Sequence, residues 1–419
     1  MLKMRKMKDS GIEWIGEIPE GWEVVQLKRF AEVHNGREID VEVDSTDSSA
    51  VGVYGSGGVF KYTNRAQYSG KAVLFGRKGT LGKPLYVEGQ LWAVDTMYFL
   101  TYSNRLLEKF SYYQFLAFNW APYITHTAIP SVVASEIVAC YFPIPPLEEQ
   151  AKIADYLDNG CASLDTILDK TRSSIEEYKK LKQAVITQAV TKGVRGKREM
   201  KDSGVEWIGE IPKYWNIGKL KYYWISVESG VSVNAAERPI DNPAQYGVLK
   251  TSSVSKFIFN PHEHKQVNND EYSRVTCPVT ADCIIVSRMN TPDLVGACGY
   301  VEKTYPNLFL PDRLWQISFK NDVSAKFIWY YLNNKMVRSY ISSLSTGTSS
   351  TMQNISQGQF GNISVCLPDS NEQKEIADYL DAKCAEIDKL IAKKEQLVKE
   401  LESYKKSLIY EVVTGKREV

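Results

Sequence analysis

No run of eighteen or more apolar residues occurs in the 419-residue chain, so nothing in it reads as a membrane-crossing helix. The start, MLKMRKMKDSGIEW, lacks the apolar stretch and small-residue cleavage site of a secretory signal, and the expected compartment is the cytoplasm. Cysteine is sparse and irregular: seven residues, an odd number with no CxxC pair, fit reduced thiols better than a disulfide framework. His262 and His264 stand near Cys277 and Cys283, but without paired-ligand spacing no metal site is expected. Charge of one sign is lacking too, since 51 Lys and Arg against 50 Asp and Glu leave +1. A nucleic-acid partner would therefore have to be met by local basic clusters, or together with a second protein that supplies charge.

Catalytic signatures are equally scarce. GRKGTLGK, Gly76 to Lys83, has the glycines and lysine of a phosphate loop, but the spacing is one residue long and Pro84 replaces the magnesium-binding Ser or Thr. A basic turn touching a DNA backbone is the preferred reading, with Arg77 or Lys83 at phosphate and the glycines allowing close approach; the alternative is a structural turn. PDR, Pro311 to Arg313, lacks the further acid and lysine of a nuclease site. No G-x-G-x-x-G follows a strand-like run, and no Asn/Asp-Pro-Pro-aromatic tetrapeptide offers an adenine-methylation pocket. No catalytic residues are assigned.

What the chain does have is repetition. KDSGIEWIGEIPEGW at Lys8 to Trp22 returns as KDSGVEWIGEIPKYW at Lys201 to Trp215, with twelve of fifteen positions identical. EQAKIADYLD at Glu149 returns as EQKEIADYLD at Glu372, and VTKGVRGKRE ending at Glu199 returns as VTGKRE ending at Glu418. The first pair is offset by 193 positions and the second by 223, so the second copy carries thirty more residues in its variable part. Each copy runs from a short shared opening through a long variable stretch to a helical stretch, and the chain's beginning would continue its end like a ring cut once. Its length alone favours two or more domains.

The helical stretches keep one seam. Leu157, Cys161, Leu164, Leu168, Thr171, Ile175, Tyr178, Lys182, Val185 and Ala189 step by threes and fours; Leu380, Cys384, Ile387, Ile391, Lys394, Val398, Leu401, Lys405, Leu408 and Val412 repeat it. With no proline from Ala151 to Val194 or from Asn371 onward, the spacing predicts two long helices packed as a coiled coil, each of about 60 Å at roughly 1.5 Å per residue. Thr171, Lys182, Lys394 and Lys405 depart from an ideal seam and call for polar neighbours or another helix.

Beneath their differences the variable parts share a skeleton. KAVLFGRKGTLGK, LWAVDTMYFL and KFSYYQFLAFNW correspond to CIIVSRMNTPDLVG, FLPDRLWQISF and KFIWYYLNNKMV. Arg77 and Arg288 each follow a strand-like run, and Asp95 and Asp312 each precede the KF by fourteen residues. The aromatic helices read as core rather than as base-stacking platforms. The polar tracts THTAIPSV (Thr125 to Val132) and STGTSSTMQ (Ser345 to Gln353) are either solvated loops or donors for a DNA groove. Candidate DNA contacts are Lys61, Asn64, Arg65, Arg77, Lys78 and Lys83 in the first variable part. In the second they are Arg288, Asn290, Arg313, Ser349, Thr351 and Gln353.

The E-W-I-G-E-I-P-x-x-W opening, the L-x-E-Q-x-x-I-A-x-Y-L-D block (Leu147, Glu149, Gln150, Ile153, Ala154, Tyr156, Leu157 and Asp158) and the twofold layout together resemble the specificity subunit of type I restriction-modification systems. The second copy departs only at the leading leucine, where Ser370 stands. The resemblance implies an α+β chain: two α/β target-recognition domains separated by a pair of long antiparallel coiled-coil helices, with an internal pseudo-twofold repeat. The expected segments are residues 1–146 and 201–369 for the domains and 147–200 and 370–419 for the spacers. Each domain would read one half of a bipartite, asymmetric site in double-stranded DNA, and the helices would set the gap. Two methyltransferase subunits carrying S-adenosylmethionine are implied as partners, with two motor-nuclease subunits using ATP and Mg2+ in the restricting form; this chain would hold no cofactor and no activity of its own. The competing readings are a noncatalytic coiled-coil adaptor joining two protein-binding domains, and a stand-alone enzyme acting on DNA.

Overall fold

A computed structural model describes residues 5–125, 128–349 and 352–419. Two compact units emerge, Met1–Ser173 with Lys394–Val419, and Ser174–Lys393. The helix Leu147–Lys192 begins in the first unit and ends in the second, and the helix Ser370–Val413 does the reverse.

In the first unit six strands form one sheet in the order Ala31–Asn35, Met97–Tyr102, Tyr68–Gly76, Leu85–Ala93, Val51–Gly55, Gly58–Thr63. All neighbours are antiparallel except Val51–Gly55, which lies parallel to Leu85–Ala93. The unbroken run AVLF within Tyr68–Gly76 forms a strand because both faces are covered. Val73 and Phe75 join the cluster under the helix Glu108–Ala117, while Ala72 and Leu74 join a second cluster with Leu91, Met97 and Phe99. Phe75 stacks on Phe115 at 5.7 Å, so the aromatic helix is core, and burying such a ring stabilises by about 2–3 kcal/mol.

The second unit repeats this plan with one division. Trp224–Ser229, Leu314–Phe319, Cys283–Ser287 and Cys298–Val301 form a four-stranded antiparallel sheet. Tyr305–Phe309 belongs to a separate sheet, where it lies parallel to Gly247–Leu249. The single long strand Leu85–Ala93 of the first unit is thus made in two pieces. The extra residues are spread out: Arg77 and Arg288 differ by 211 positions, Asp95 and Asp312 by 217, Asp158 and Asp381 by 223.

The helices pair antiparallel within each unit. In the first, Asp165 bonds Lys405 and Arg172 bonds Glu402; in the second, Lys182 bonds Asp388. Leu157, Cys161, Leu164, Leu168 and Ile175 are buried along one seam, and Leu380, Cys384, Ile387, Leu408 and Val412 along the other. Two of the polar seam positions are explained by the lysine contacts, and Thr171 returns its hydroxyl to the Ile167 carbonyl at 2.7 Å.

The repeated motifs join each variable domain to these helices. Trp22 is buried and donates its indole N–H to Glu149 at 3.1 Å, while Arg5 pairs with the same carboxylate at 2.6 Å. Trp215, Glu372 and Arg198 repeat the clamp at 3.2 and 2.6 Å. Buried Gln150 accepts from the Leu107 N–H and donates to the Arg105 and Pro145 carbonyls; Gln373 does the same with Ser324, Asp322 and Pro368. Asp158 accepts from the Tyr113 hydroxyl at 2.6 Å and Asp381 from Tyr330 at 2.7 Å. Burial first, then the carboxylate, pushes both phenols well above their ordinary range, so both remain donors.

Candidate nucleic-acid interface

Each variable domain builds a corner from three segments far apart in sequence. In the first, the turn between Leu85–Ala93 and Met97–Tyr102 is gripped from two sides. The Arg77 N–H donates to the Thr96 carbonyl at 2.7 Å, the Arg37 N–H to the Ala93 carbonyl at 2.9 Å and the Gly36 N–H to the Met97 carbonyl at 2.9 Å. Only glycine fits at position 36, because a Cβ there would lie 1.8 Å from the Val94 carbonyl oxygen. The third segment is the polar tract, where the Val132 N–H donates to the Arg77 carbonyl at 3.0 Å and the Gly79 N–H to the Pro130 carbonyl at 2.9 Å.

The second domain builds the same corner. The Arg288 N–H donates to the Arg313 carbonyl at 3.1 Å, and the Ile355 N–H donates to the Arg288 carbonyl at 3.0 Å. A Cβ at Gly230 would lie 1.5 Å from the Leu310 carbonyl oxygen, the counterpart of Gly36 against Val94. Met289–Asn290 then pairs with Met352–Asn354 and carries the polar tract onto the strand end.

Each corner carries an arginine and an aspartate. The Arg77 guanidinium lies 5.7 Å over the Tyr98 ring, and Asp95, on the gripped turn, is exposed with no side-chain bond among the described residues. The Arg288 Nε donates to the Asp312 carbonyl at 2.7 Å, leaving the remaining guanidinium donors for other partners. A corner holding both charges is poorly suited to a row of phosphates. It suits base edges, since arginine can pair with guanine O6 and N7 and a carboxylate can accept from the cytosine amino group.

The twelve sequence candidates divide. Arg77, Lys78 and Lys83 lie on one loop beside the corner, and Lys78 and Lys83 are exposed without a side-chain partner among the described residues. Arg65 and Asn64 are exposed on a turn whose Gln67 accepts from the Ala93 N–H and donates to the Asn35 carbonyl, so this turn meets the same corner. Lys61 sits on the edge strand Gly58–Thr63 and pairs with Glu42 at 2.7 Å. Arg313 is exposed on the second corner's turn. Asn290 spends its amide locally, accepting from the Thr291 N–H and donating to Ser287. Gln353 lies opposite Asn290 on the paired strand, Ser349 ends the strand Thr346–Ser349, and Thr351 lies outside the described residues.

Two details differ from the sequence reading. The glycine of Gly76 serves the loop itself, because a Cβ there would lie 2.3 Å from the Thr80 carbonyl oxygen. The hydroxyls of Thr125 and Ser131 bond each other at 2.8 Å and close the tract, so they are not spare groove donors; His126 and Thr127 of that tract lie outside the described residues. Arg37 escaped the sequence reading, although a glycine-arginine pair following a strand was the signal for it.

Among the described residues no three His, Cys, Asp or Glu side chains gather as a metal site, and no helix is long and apolar enough to cross a membrane. Both ring nitrogens of His264 face main-chain groups, the Pro261 carbonyl at 2.7 Å and the Ile240 N–H at 3.0 Å. Burial pushes the thiols of Cys277 and Cys283 up to about 12, away from reactivity.

The family described as type I restriction modification DNA specificity domain matches residues 19–177 and 244–400. The type I restriction enzyme MjaVIII specificity subunit of Methanocaldococcus jannaschii is 27% identical, over 95% of this chain and 93% of its own. The EcoKI specificity subunit of Escherichia coli K12 is 26% identical over 56% of this chain and 48% of its own. In fold, the chain resembles one solved in work on complex assembly and conformational transition of the type I R-M system, with TM-score 0.70 at 14% identity, covering 96% of this chain and 99% of that one. The HsdS subunit of Thermoanaerobacter tengcongensis is similar at TM-score 0.51 and 15% identity, covering 96% and 98%.

Proposed function

The chain belongs to the type I restriction modification DNA specificity family, and we propose that each of its two recognition domains reads one half of a bipartite, asymmetric site in double-stranded DNA. The observation that carries this reading is the duplicated corner: the same main-chain bonds hold Arg77 and Arg288 beside Asp95 and Asp312 in two domains that differ at most other exposed positions. A shared frame with different surroundings suits two readers of different half-sites. The long helices set the gap between the half-sites, because each is continuous from one unit into the other.

The chain is noncatalytic in this reading and works in the cytoplasm within a larger complex. Two methyltransferase subunits bring S-adenosylmethionine and the chemistry of methyl transfer; two motor-nuclease subunits with ATP and Mg2+ join in the restricting form. Equal numbers of basic and acidic groups across residues 1–146 keep nonspecific phosphate affinity low, so the subunit alone binds DNA weakly and the assembled complex binds it well.

A base-resolution map of DNA methylation in cells expressing this chain with its neighbouring methyltransferase, against cells lacking the chain, tests the reading. The expected result is a two-part motif with a fixed nonspecific gap, present only with the chain. No chain-dependent motif, with a methyltransferase active beside another specificity subunit, would overturn it.

A further inference from the structure

The loop that follows Arg288 runs from Met289 to Gly296 and joins the strands Cys283–Ser287 and Cys298–Val301. Both its ends are tied to Ser287: the Gly296 N–H donates to the Ser287 carbonyl at 2.7 Å, and the Asn290 amide donates to the Ser287 hydroxyl at 3.3 Å. Its tip closes on itself, since the N–H groups of Leu294 and Val295 both donate to the Thr291 carbonyl, at 3.0 and 2.9 Å. Thr291 and Asp293 are left exposed beside the second corner. A hydroxyl and a carboxylate suit base edges, and a carboxylate does not suit phosphate.

The helix Lys335–Leu344 holds this loop from behind. Arg338, partly buried, donates from Nη2 to the Val295 carbonyl at 2.7 Å and to the Asp293 carbonyl at 3.1 Å. One turn on, the Ser342 hydroxyl donates to the Pro292 carbonyl at 3.1 Å. The guanidinium also lies 5.2 Å over the Phe257 ring, and its Nη1 is enclosed without a hydrogen-bond partner among the described residues. Loop and helix touch directly: a Cβ at Gly296 would lie 2.6 Å from the Ile341 side chain and 3.3 Å from that Nη1. An apolar side chain would fill this place without enclosing an unmatched donor, but it could not grip two carbonyls. Arginine here serves the shape of the loop more than the packing of the core.

The first domain braces the corresponding loop by other means. The Gly79 N–H donates to the Pro130 carbonyl at 2.9 Å, and Gly82 sits so close to Trp120 that a Cβ there would lie 3.3 Å from the indole. Main chain and an aromatic ring do there what Arg338 and Ser342 do in the second domain.

We propose that Arg338, with Ser342, is a positioning residue for base recognition by the second domain: it sets the Thr291 to Asp293 tip against the bases of one half-site and itself touches no DNA. The inference rests on the specificity-subunit reading, which supplies the DNA site.

Binding of the full chain, assembled with its methyltransferase, to the DNA site and to single-base-pair variants of each half-site over a range of salt tests it. Arg338→Met keeps the length of the side chain and removes its donors. Discrimination is expected to relax about tenfold in one half-site and to stay as in wild type in the other, with an unchanged salt dependence because no phosphate contact is lost. Wild-type discrimination at both half-sites by the folded variant would overturn the proposal. So would a salt dependence reduced by about one counterion, which would make Arg338 a phosphate contact, or an equal loss in both half-sites, which would make its role merely structural. Should Arg338→Met melt early by circular dichroism, Ser342→Ala decides: a smaller relaxation confined to one half-site is expected, and none would overturn the proposal. A wild-type complex that discriminates at neither half-site would overturn the specificity-subunit reading, and the positioning role with it.

Discussion

Lys405 donates to both carboxylate oxygens of Asp165, at 2.6 and 2.7 Å, from a seam position that an ideal coiled coil would give to an apolar side chain. Lys182 and Asp388 make the same contact with the helices exchanged, at 2.8 and 2.6 Å. Both carboxylates are about half exposed, so attraction is largely offset by solvent screening and side-chain ordering. Asp165→Ala is expected to lower stability by less than about 1 kcal/mol. Asp165→Lys, facing Lys405, is expected to lower it further, and exchanging both residues to restore it. Thermal melts of the three variants at low and high salt check this; an exchange no better than the single reversal would show that the pair contributes nothing to matching the helices.

The carboxylate clamps should cost more to break, and unequally. Glu372 is 4% exposed and meets both Arg198 and the Trp215 indole, so Glu372→Ala strands a partly buried guanidinium and a buried N–H. About 3–5 kcal/mol is the expected loss. Glu149 holds the equivalent groups with a side chain 25% exposed, so water can replace part of what Glu149→Ala removes, and about 1–2 kcal/mol is expected. Urea unfolding of the two variants should rank them in that order, and the reverse order would contradict the burial argument.

Much of this architecture lies in local pattern. Heptad steps announce the helices, and the shared EQ-x-x-IADYLD block announces that two units dock alike. What the block's polar letters do is not local: Gln150 satisfies main-chain groups of residues 105 and 107, and Asp158 holds Tyr113, contacts made only once the variable domain has folded against the helix. The corners are hidden for the same reason. Arg37 and Arg77 come together only through the turn after Ala93, and the parallel pairing of Val53 with Trp92 joins segments that no periodicity links. Residue type alone therefore selected Lys61, whose charge is met by Glu42, as readily as Lys78.

Burial pushes the thiols of Cys277, Cys283, Cys298 and Cys366 up to about 12 from an ordinary value near 9. The neutral thiol is the form the fold favours. Stability from this source is complete below about pH 9 and declines as pH rises toward 12, because the unfolded chain gives up protons that the folded chain keeps. Between pH 9 and 10 each such thiol is expected to steepen the loss by up to about 1.4 kcal/mol per pH unit. Cys298→Ser, which keeps a donor for Asn333 at the position of the 3.3 Å thiol contact, should make the decline shallower than in wild type. Unfolding midpoints measured at intervals from pH 8 to 10 give the two slopes, and equal slopes would mean that this thiol ionises alike in both states.

The corners give the sharpest test at the DNA. Arg77→Ala removes a guanidinium whose main chain is fixed by Thr96 and Val132, so the loop should keep its shape while one set of donors is lost. If Arg77 pairs with a base, affinity of the assembled complex for its site should fall by about 1–3 kcal/mol and discrimination at one base pair in one half-site should relax. Arg288→Ala should do the same in the other half-site only. Arg37, on the opposite side of the first corner's turn, has no aromatic or carboxylate partner among the described residues; if it meets phosphate, Arg37→Ala should weaken binding to all sequences alike and reduce the salt dependence by about one counterion. Binding measured over a range of salt with sites mutated one base pair at a time separates the three outcomes. A loss confined to the same half-site for Arg77→Ala and Arg288→Ala would rule out one reader per domain.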